Sequence, residues 1–342
     1  MKAIKFFAIS AMAAAMITSC SSEDELSQSN YPSDNIIRVT AGVNNAKTRA
    51  EGAGTPLKNP LSLTVVNKNE NATLAKKYTY VNKVFTKDDN GAWNCSETLL
   101  WQKDTQPVDI VAFAPAPNGK FNGVYAEGST QPIQSITYSV ADDQSTSSDN
   151  NDLLYYYAKD FKPGEGLKDK KLSIQFNHAF CMIDINVTLG TEFNKPNVLD
   201  DSPIIKVTLG GTKIAANVNV TNAASVVTAS EEAAATDITT TKGSFTPAVD
   251  AEANADPEKN AISRFSCIAI PQTVAANTFK VSLMTAGKRY EWTSADKVEL
   301  KSGYKYTLKL SMGNDVVLLK GGSISATPWT EAEISDNTLE TD

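Results

Sequence analysis

The sequence predicts an all-β fold made of two tandem β-sandwich domains. Apolar and polar residues alternate with a period of two through most of the chain, which is typical of strands with one buried face. No stretch keeps a helical period, and the Ala- and Glu-rich segment 223–238 would give at most one short helix. A charged segment with Pro and two Gly at 163–171 is expected to be the interdomain linker. The chain of 342 residues is long enough for two domains of roughly 150 residues each.

Residues 1–19 are expected to be a lipoprotein signal peptide. Lys2 and Lys5 stand at the start of an uncharged apolar run that is too short to span a bilayer and indicates a secretory signal. The run reaches Cys20 through one aliphatic and two small residues, which resembles the bacterial lipobox; the alternative is an ordinary cleavage site beside a chance cysteine. We expect lipid attachment at Cys20, followed by an acidic linker over 20–34. The linker either directs the chain to the outer face of the outer membrane or is only a solvated spacer.

Residues 35–162 are expected to form the N-terminal domain. Its first strand puts Ile37, Val39, Ala41 and Val43 on one face, as in a half-buried strand.

Three further segments predict strands of the same domain. The run 61–68 alternates, and the runs 78–85 and 93–101 are joined by Asp, Asn and Gly at 89–91, which favour a hairpin. The run 108–114 is apolar on both faces, as expected for a central strand.

Residues 172–342 are expected to form the C-terminal domain. Apolar residues occupy even positions up to Phe176 and odd positions from Ala179 onward. Because a strand cannot change parity without an extra residue, we expect a β-bulge at Asn177 and His178, with Cys181 facing the core.

Composition excludes several classes of function. The net charge is −7, and it becomes −9 without the two signal-peptide lysines, which argues against nucleic acid as a partner. Besides Cys20, only Cys95, Cys181 and Cys267 remain, so at most one disulfide could form.

The sequence offers no recognisable catalytic or cofactor site. His178 is the only histidine and lies in a predicted strand, where a structural role is expected. No nucleophile motif, zinc-ligand spacing or phosphate-binding loop is present in the sequence. We expect no enzyme activity, no cofactor and no metal; a hydrolase would have to use His178 or a carboxylate in a loop.

Several motifs together resemble one family. The alternating run 172–176, with Phe, one residue, His and Ala and then a second long alternating run, resembles the fimbrillin family of Bacteroidales, the subunits of type V pili. Similar pieces are "KTRA" at 47–50, "VDIVAFAPAPN", "DLLYYYAKD", "GYKYTLKLSM" and "SISATPWTEAE". The resemblance implies two sandwich domains of transthyretin-like topology, export as a surface lipoprotein, cleavage by an arginine-specific protease and polymerisation by strand exchange.

The resemblance also implies roles for particular residues. Cleavage between Arg49 and Ala50 would release the lipid anchor together with the strand that carries Ile37, Val39, Ala41 and Val43. The groove left behind would accept a strand from another fimbrial subunit, either a second copy or a related chain. The candidate donor strand contains Val316, Leu318 and Ile324.

The sequence also allows other roles for these segments. The candidate donor could be only the last strands of the C-terminal domain, and Arg49 could lie in a loop that is never cut. The protein could instead be an anchored or tip adhesin that binds a glycan or host protein through loops such as 141–152. Aromatic residues could line such a surface, although strand aromatics usually pack in cores; the candidates are Trp93, Trp101, Trp292, Trp329 and Tyr155 to Tyr157.

Overall fold

The structure, a computed structural model, describes residues 30–44, 57, 59–116, 136–146, 152–194, 197–219, 227–250, 259–313, 317–319 and 324–329. Some sequence-based expectations lie outside these residues: the signal peptide, Cys20, the bond between Arg49 and Ala50, and Val316. Within the described residues, no helix is long and apolar enough to cross a membrane.

Strands dominate the described chain, which confirms the all-β prediction. The first eight are β1 (Val39–Val43), β2 (Leu61–Asn67), β3 (Tyr80–Lys87), β4 (Trp93–Cys95), β5 (Val108–Ala114), β6 (Ile136–Ser139), β7 (Leu154–Phe161) and β8 (Leu172–His178). They are followed by β9 (Cys181–Leu189), β10 (Ile204–Gly210), β11 (Ala215–Val218), β12 (Val227–Ala229), β13 (Ile238–Thr239), β14 (Thr241–Thr246) and β15 (Ile262–Ala269). The last are β16 (Gln272–Val274), β17 (Lys280–Thr285), β18 (Arg289–Thr293), β19 (Val298–Leu300), β20 (Tyr304–Met312), β21 (Val317–Leu319) and β22 (Ser325–Pro328). Helices are short: α1 (Ala72–Lys77), α2 (Pro163–Gly166) and a 3₁₀ turn at Thr191–Asn194.

The described strands form five sheets. The largest has seven strands in the order β1-β8-β7-β5-β2-β3-β4. A second runs β14-β15-β9-β20-β21, with β22 also paired to β20. Three smaller sheets have the orders β13-β10-β17-β18, β12-β11-β6 and β16-β19. The segment 223–238, where the sequence allowed a short helix, contains the strand β12. The backbone of β12 pairs with β11 and is therefore extended.

The buried residues form two hydrophobic cores, and the seven-stranded sheet lies between them. Along β5, Ile110 and Ala112 belong to the smaller core, whereas Val111 and Phe113 belong to the larger one. Both β2 and β5 are buried over their full length. The apolar run 108–114 is therefore a central strand buried on both faces, as its sequence indicates.

Strand β8, where we expect the C-terminal domain to begin, lies in the seven-stranded sheet together with β1 to β5 and β7. It pairs in parallel with β1 and in antiparallel fashion with β7, and Leu172, Ile174 and Phe176 lie in the smaller core. From Ala179 onward the chain contributes to the larger core, which earlier strands also reach through residues such as Val111 and Phe113. Alternation fixes which side chains of a strand are buried, but it does not identify the strand's neighbours.

The parity change at Asn177 and His178 is not the β-bulge inside one strand that the sequence led us to expect. The chain leaves β8 at His178, bends through Ala179 and Phe180, and enters β9 at Cys181, which pairs in another sheet. The change of parity thus marks the passage from one core to the other. Cys181 is fully buried, as predicted.

The predicted hairpin at 89–91 is confirmed. Strands β3 and β4 pair in antiparallel fashion, and Gly91 has a φ of 82°, which favours glycine. The carboxylate of Asp88 closes the turn by accepting hydrogen bonds from the backbone N–H groups of Asn90 and Ala92.

Candidate functional site

Strand β1 lies at the edge of the seven-stranded sheet. Its only described strand partner is β8, in a parallel register that runs from Val39 opposite Leu172 to Val43 opposite Phe176. Strand β8 is paired with its other neighbour, β7, only at His178 and Asn177. Among the described strands, residues 172–176 therefore have β1 as their only hydrogen-bonded neighbour.

The inner face of β1, together with Ile37 just before the strand, covers the smaller core. Ile37 and Val39 are each 4% exposed and Val43 is 6% exposed, while Ala41 is half-buried against the same core. These residues pack with the apolar side chains of β8, which are themselves at most 1% exposed. The four residues named from the sequence thus share one face that closes this core.

Backbone hydrogen bonds hold the segment at both ends. Ahead of β1, the N–H of Ile37 donates to the carbonyl of Leu99 at 2.8 Å, and the N–H of Trp101 donates to the carbonyl of Asn35 at 2.8 Å. After β1, the N–H of Asn44 donates to the carbonyl of Phe176 at 2.7 Å. Loss of this segment would leave backbone groups of two neighbouring segments unpaired.

The C-terminal strands occupy the edge of another sheet. Both β21 and β22 pair with β20, β21 near its end and β22 near its start. Val317 is 6% exposed and Ile324 is half-buried, whereas all four residues of β22 are exposed. Leu318 lies in β21, but its side chain is outside the described part of the chain. These strands therefore lie in the same fold as β1 but against the larger core.

His178 lies where the two cores meet. Its Nδ1 is 2.7 Å from Oδ2 of Asp152, and its ring stacks on Trp329 with centroids 3.7 Å apart and planes 12° apart. The Oγ of Ser302 donates hydrogen bonds to the backbone carbonyls of His178, at 3.1 Å, and of Ala179. The His178 side chain is buried and its contacts are those of a packed structural residue. Among the described residues, no group of three or more His, Cys, Asp or Glu could hold a metal ion.

The aromatic residues considered for ligand binding lie mostly in the cores. Trp93 and Trp101 are buried in the smaller core, and Trp292 is half-buried against Phe279. Along β7, Tyr156 packs against the smaller core, while its two neighbours Tyr155 and Tyr157 pack against the larger one. Burial raises the pKa of all three phenols. Their alternation follows from the position of β7 between the cores.

A buried amide in the loop 141–152 was not identified from the sequence. Gln144 is fully buried; its Nε2 donates to the carbonyls of Ala141 at 3.1 Å and Ile268 at 2.9 Å. Its Oε1 accepts the N–H of Ile268 at 2.8 Å. Asp142 and Asp143 beside it are exposed. A polar residue between an acid and a serine gives no sequence signal of burial, and its partner Ile268 lies 124 positions away.

Comparison with known proteins gives a family and a fold. A family model described as fimbrillin-like matches residues 48–329, which begin between β1 and β2. No curated protein matches the sequence. A provisionally assigned cell adhesion protein from Bacteroides ovatus is 17% identical with a TM-score of 0.60, over 87% of this chain and 99% of that one. A protein of the same assignment from Bacteroides uniformis is 16% identical with a TM-score of 0.54, over 87% and 100%. A fimbrial protein from Bacteroides vulgatus is 14% identical with a TM-score of 0.54, over 86% and 99%. At these identities the three structures share the fold.

Proposed function

This chain belongs to the fimbrillin-like family, and from that premise we propose that it is a structural subunit of a surface fimbria that accepts a strand from another subunit in place of β1. One observation carries the proposal: residues 172–176 pair with β1 alone among the described strands, and β1 lies over a core that is otherwise buried. An edge strand has a strand neighbour on one side only, so its exchange breaks a single strand pairing.

The proposed maturation step is cleavage between Arg49 and Ala50. These residues follow Asn44, the last described residue after β1, so a cut there would separate β1 from the rest of the chain. The described part of the freed segment would then be held by non-covalent contacts alone, chiefly its backbone pairing and the buried side chains of Ile37, Val39 and Val43. Its departure would expose unpaired backbone groups along β8, which is the edge that β-augmentation requires.

The proposed donor is the C-terminal stretch that contains Val316, Leu318 and Ile324. Its described parts, β21 and β22, lie at a sheet edge and pair only with β20. Because β22 is exposed, its withdrawal would uncover less core than the withdrawal of a central strand. An alternating apolar strand from one subunit would replace the buried face of β1 in the next.

The proposed route to the surface is lipid attachment at Cys20, with anchoring in the outer membrane. Cys20 precedes β1 in the chain, so the cut at Arg49 would detach the lipid and the strand together. We propose no catalytic activity for this subunit, because the roles assigned to its residues are packing and backbone pairing.

The decisive experiment replaces Arg49 with Ala in the producing bacterium. We expect the Arg49→Ala variant to stay at the precursor mass and to form no filaments. Arg49→Lys should behave in the same way if the protease is specific for arginine, and Lys47→Ala is the matched control that removes a nearby charge and keeps assembly. Normal filaments and normal processing in Arg49→Ala would refute the proposed maturation.

A second candidate role is adhesion at the fimbrial tip. A surface concavity of about 630 Å³ lies beside β12, β16 and β19, and Lys213, Gln272, Glu299 and Lys301 line part of it. These side chains suit a polar ligand such as a glycan. Glycan binding by the purified protein that is lost in Glu299→Ala would support this role, and an inert glycan array would count against it.

A further inference from the structure

The end of β8 is in contact with both terminal strands of the described fold. The N–H of Asn44, directly after β1, donates to the carbonyl of Phe176, and its Nδ2 donates to Oδ1 of Asn177 at 2.8 Å. The next residue is His178, which stacks on Trp329, directly after β22. Three consecutive residues thus link the proposed displaced strand to the proposed donor strand.

Trp329 is one of two apolar anchors of β22. All four residues of the strand are exposed, whereas Ile324 before it and Trp329 after it pack against the larger core. The N–H of Trp329 also donates to the carbonyl of Gly303 at 2.7 Å. The ring stack with His178 is therefore one of the contacts that retain β22, beside its backbone pairing with β20.

His178 is held on its other sides by fixed groups. Asp152 contacts its Nδ1 at 2.7 Å, and Leu154 on β7 lies opposite it in the sheet register. If β1 is lost, β8 keeps only the two register pairs at Asn177 and His178, and all residues N-terminal to them lose their strand neighbour. Motion of β8 would then be transmitted to the imidazole ring.

We propose that His178 couples the two strands, so that loss of β1 loosens the stack with Trp329 and frees the C-terminal strand for exchange. This inference rests on the proposed strand-exchange function and adds a mechanism that sets when the C-terminal strand becomes free. A subunit that still carries β1 keeps its C-terminal strand docked, which prevents assembly before maturation.

Hydrogen exchange of the intact chain, read by mass spectrometry, tests the coupling. Val39→Asp places a charge on the buried face of β1 and should release that strand. We expect faster exchange in the peptide 317–329, by roughly twofold to tenfold, which is the range for loss of one aromatic pair. Thr40→Asp is the matched control, since Thr40 is exposed on the same strand and its substitution should leave 317–329 unchanged.

Variants at the stack give the second half of the test. His178→Gln and Trp329→Ala should each speed exchange of 317–329, whereas Trp329→Phe keeps a ring and should stay near wild type. Adding Val39→Asp to His178→Gln should give no further increase, because the link is already broken.

The coupling is refuted if Val39→Asp raises exchange over 39–43 and leaves 317–329 unchanged. If Val39→Asp also exposes the core strand Ile262–Ala269, Val39→Ala takes its place with the same criterion. The result is independent of the proposed function, because exchange is measured without polymerisation. Filaments that form without Arg49 would refute strand exchange after cleavage, whereas coupled exchange without filaments would refute only the fimbrial role.

Discussion

Substitution of Val39 by Ala should lower the free energy of unfolding, because it weakens the packing of the edge strand β1 on the smaller core. Val39 is 4% exposed and packs in the smaller core, so the change removes two buried methyl-sized groups. At about 0.8 kcal/mol for each group, the transfer loss is roughly 1.6 kcal/mol, and the residual cavity raises the total to about 2 kcal/mol. The substitution removes no backbone hydrogen-bonding group, so the loss of stability reports side-chain packing.

Urea denaturation of the intact chain, followed by circular dichroism, measures the effect. With a slope of about 2 to 3 kcal/mol per molar urea, the midpoint should fall by roughly 0.7 to 1 M. Thr40→Ala is the control on the exposed face and should shift the midpoint by less than about 0.25 M, since exposed substitutions cost little. Equal midpoints for the two variants would refute the conclusion that β1 seals the core.

Three other predictions follow from buried contacts. Gln144→Ala should lower the free energy of unfolding by about 2 to 4 kcal/mol in urea titration, because it leaves backbone groups in a core without partners; a loss below 0.5 kcal/mol would contradict this. Gly211→Ala should lower the melting temperature by several degrees, because φ is 85° and an added Cβ would meet a backbone carbonyl, whereas Gly287→Ala, with open space, should not. Burial raises the pKa of the Cys267 thiol, so it should react with a thiol reagent only after unfolding, whereas half-buried Cys95 should react in the folded protein; equal rates would contradict the burial.

Local sequence patterns were sufficient to predict several strands and one turn. The alternation around Val39, the turn residues before Gly91 and the doubly apolar run of β5 each set a local preference that the tertiary structure keeps. The contact between His178 and Trp329 could not be predicted from local patterns. Trp329 and His178 are 151 positions apart in the sequence, and neither position has a pattern that names the other.

The sequence by itself determined that the chain forms strands, which faces of those strands are apolar, and which family the motifs resemble. Only the tertiary structure decided which strands are neighbours: that β8 pairs with β1, that β6 pairs with β11, and that the chain crosses between cores after His178. The physical reason is that burial is recorded residue by residue in side-chain chemistry. Strand pairing uses backbone groups that are the same in almost every residue, so it is settled only when the chain packs.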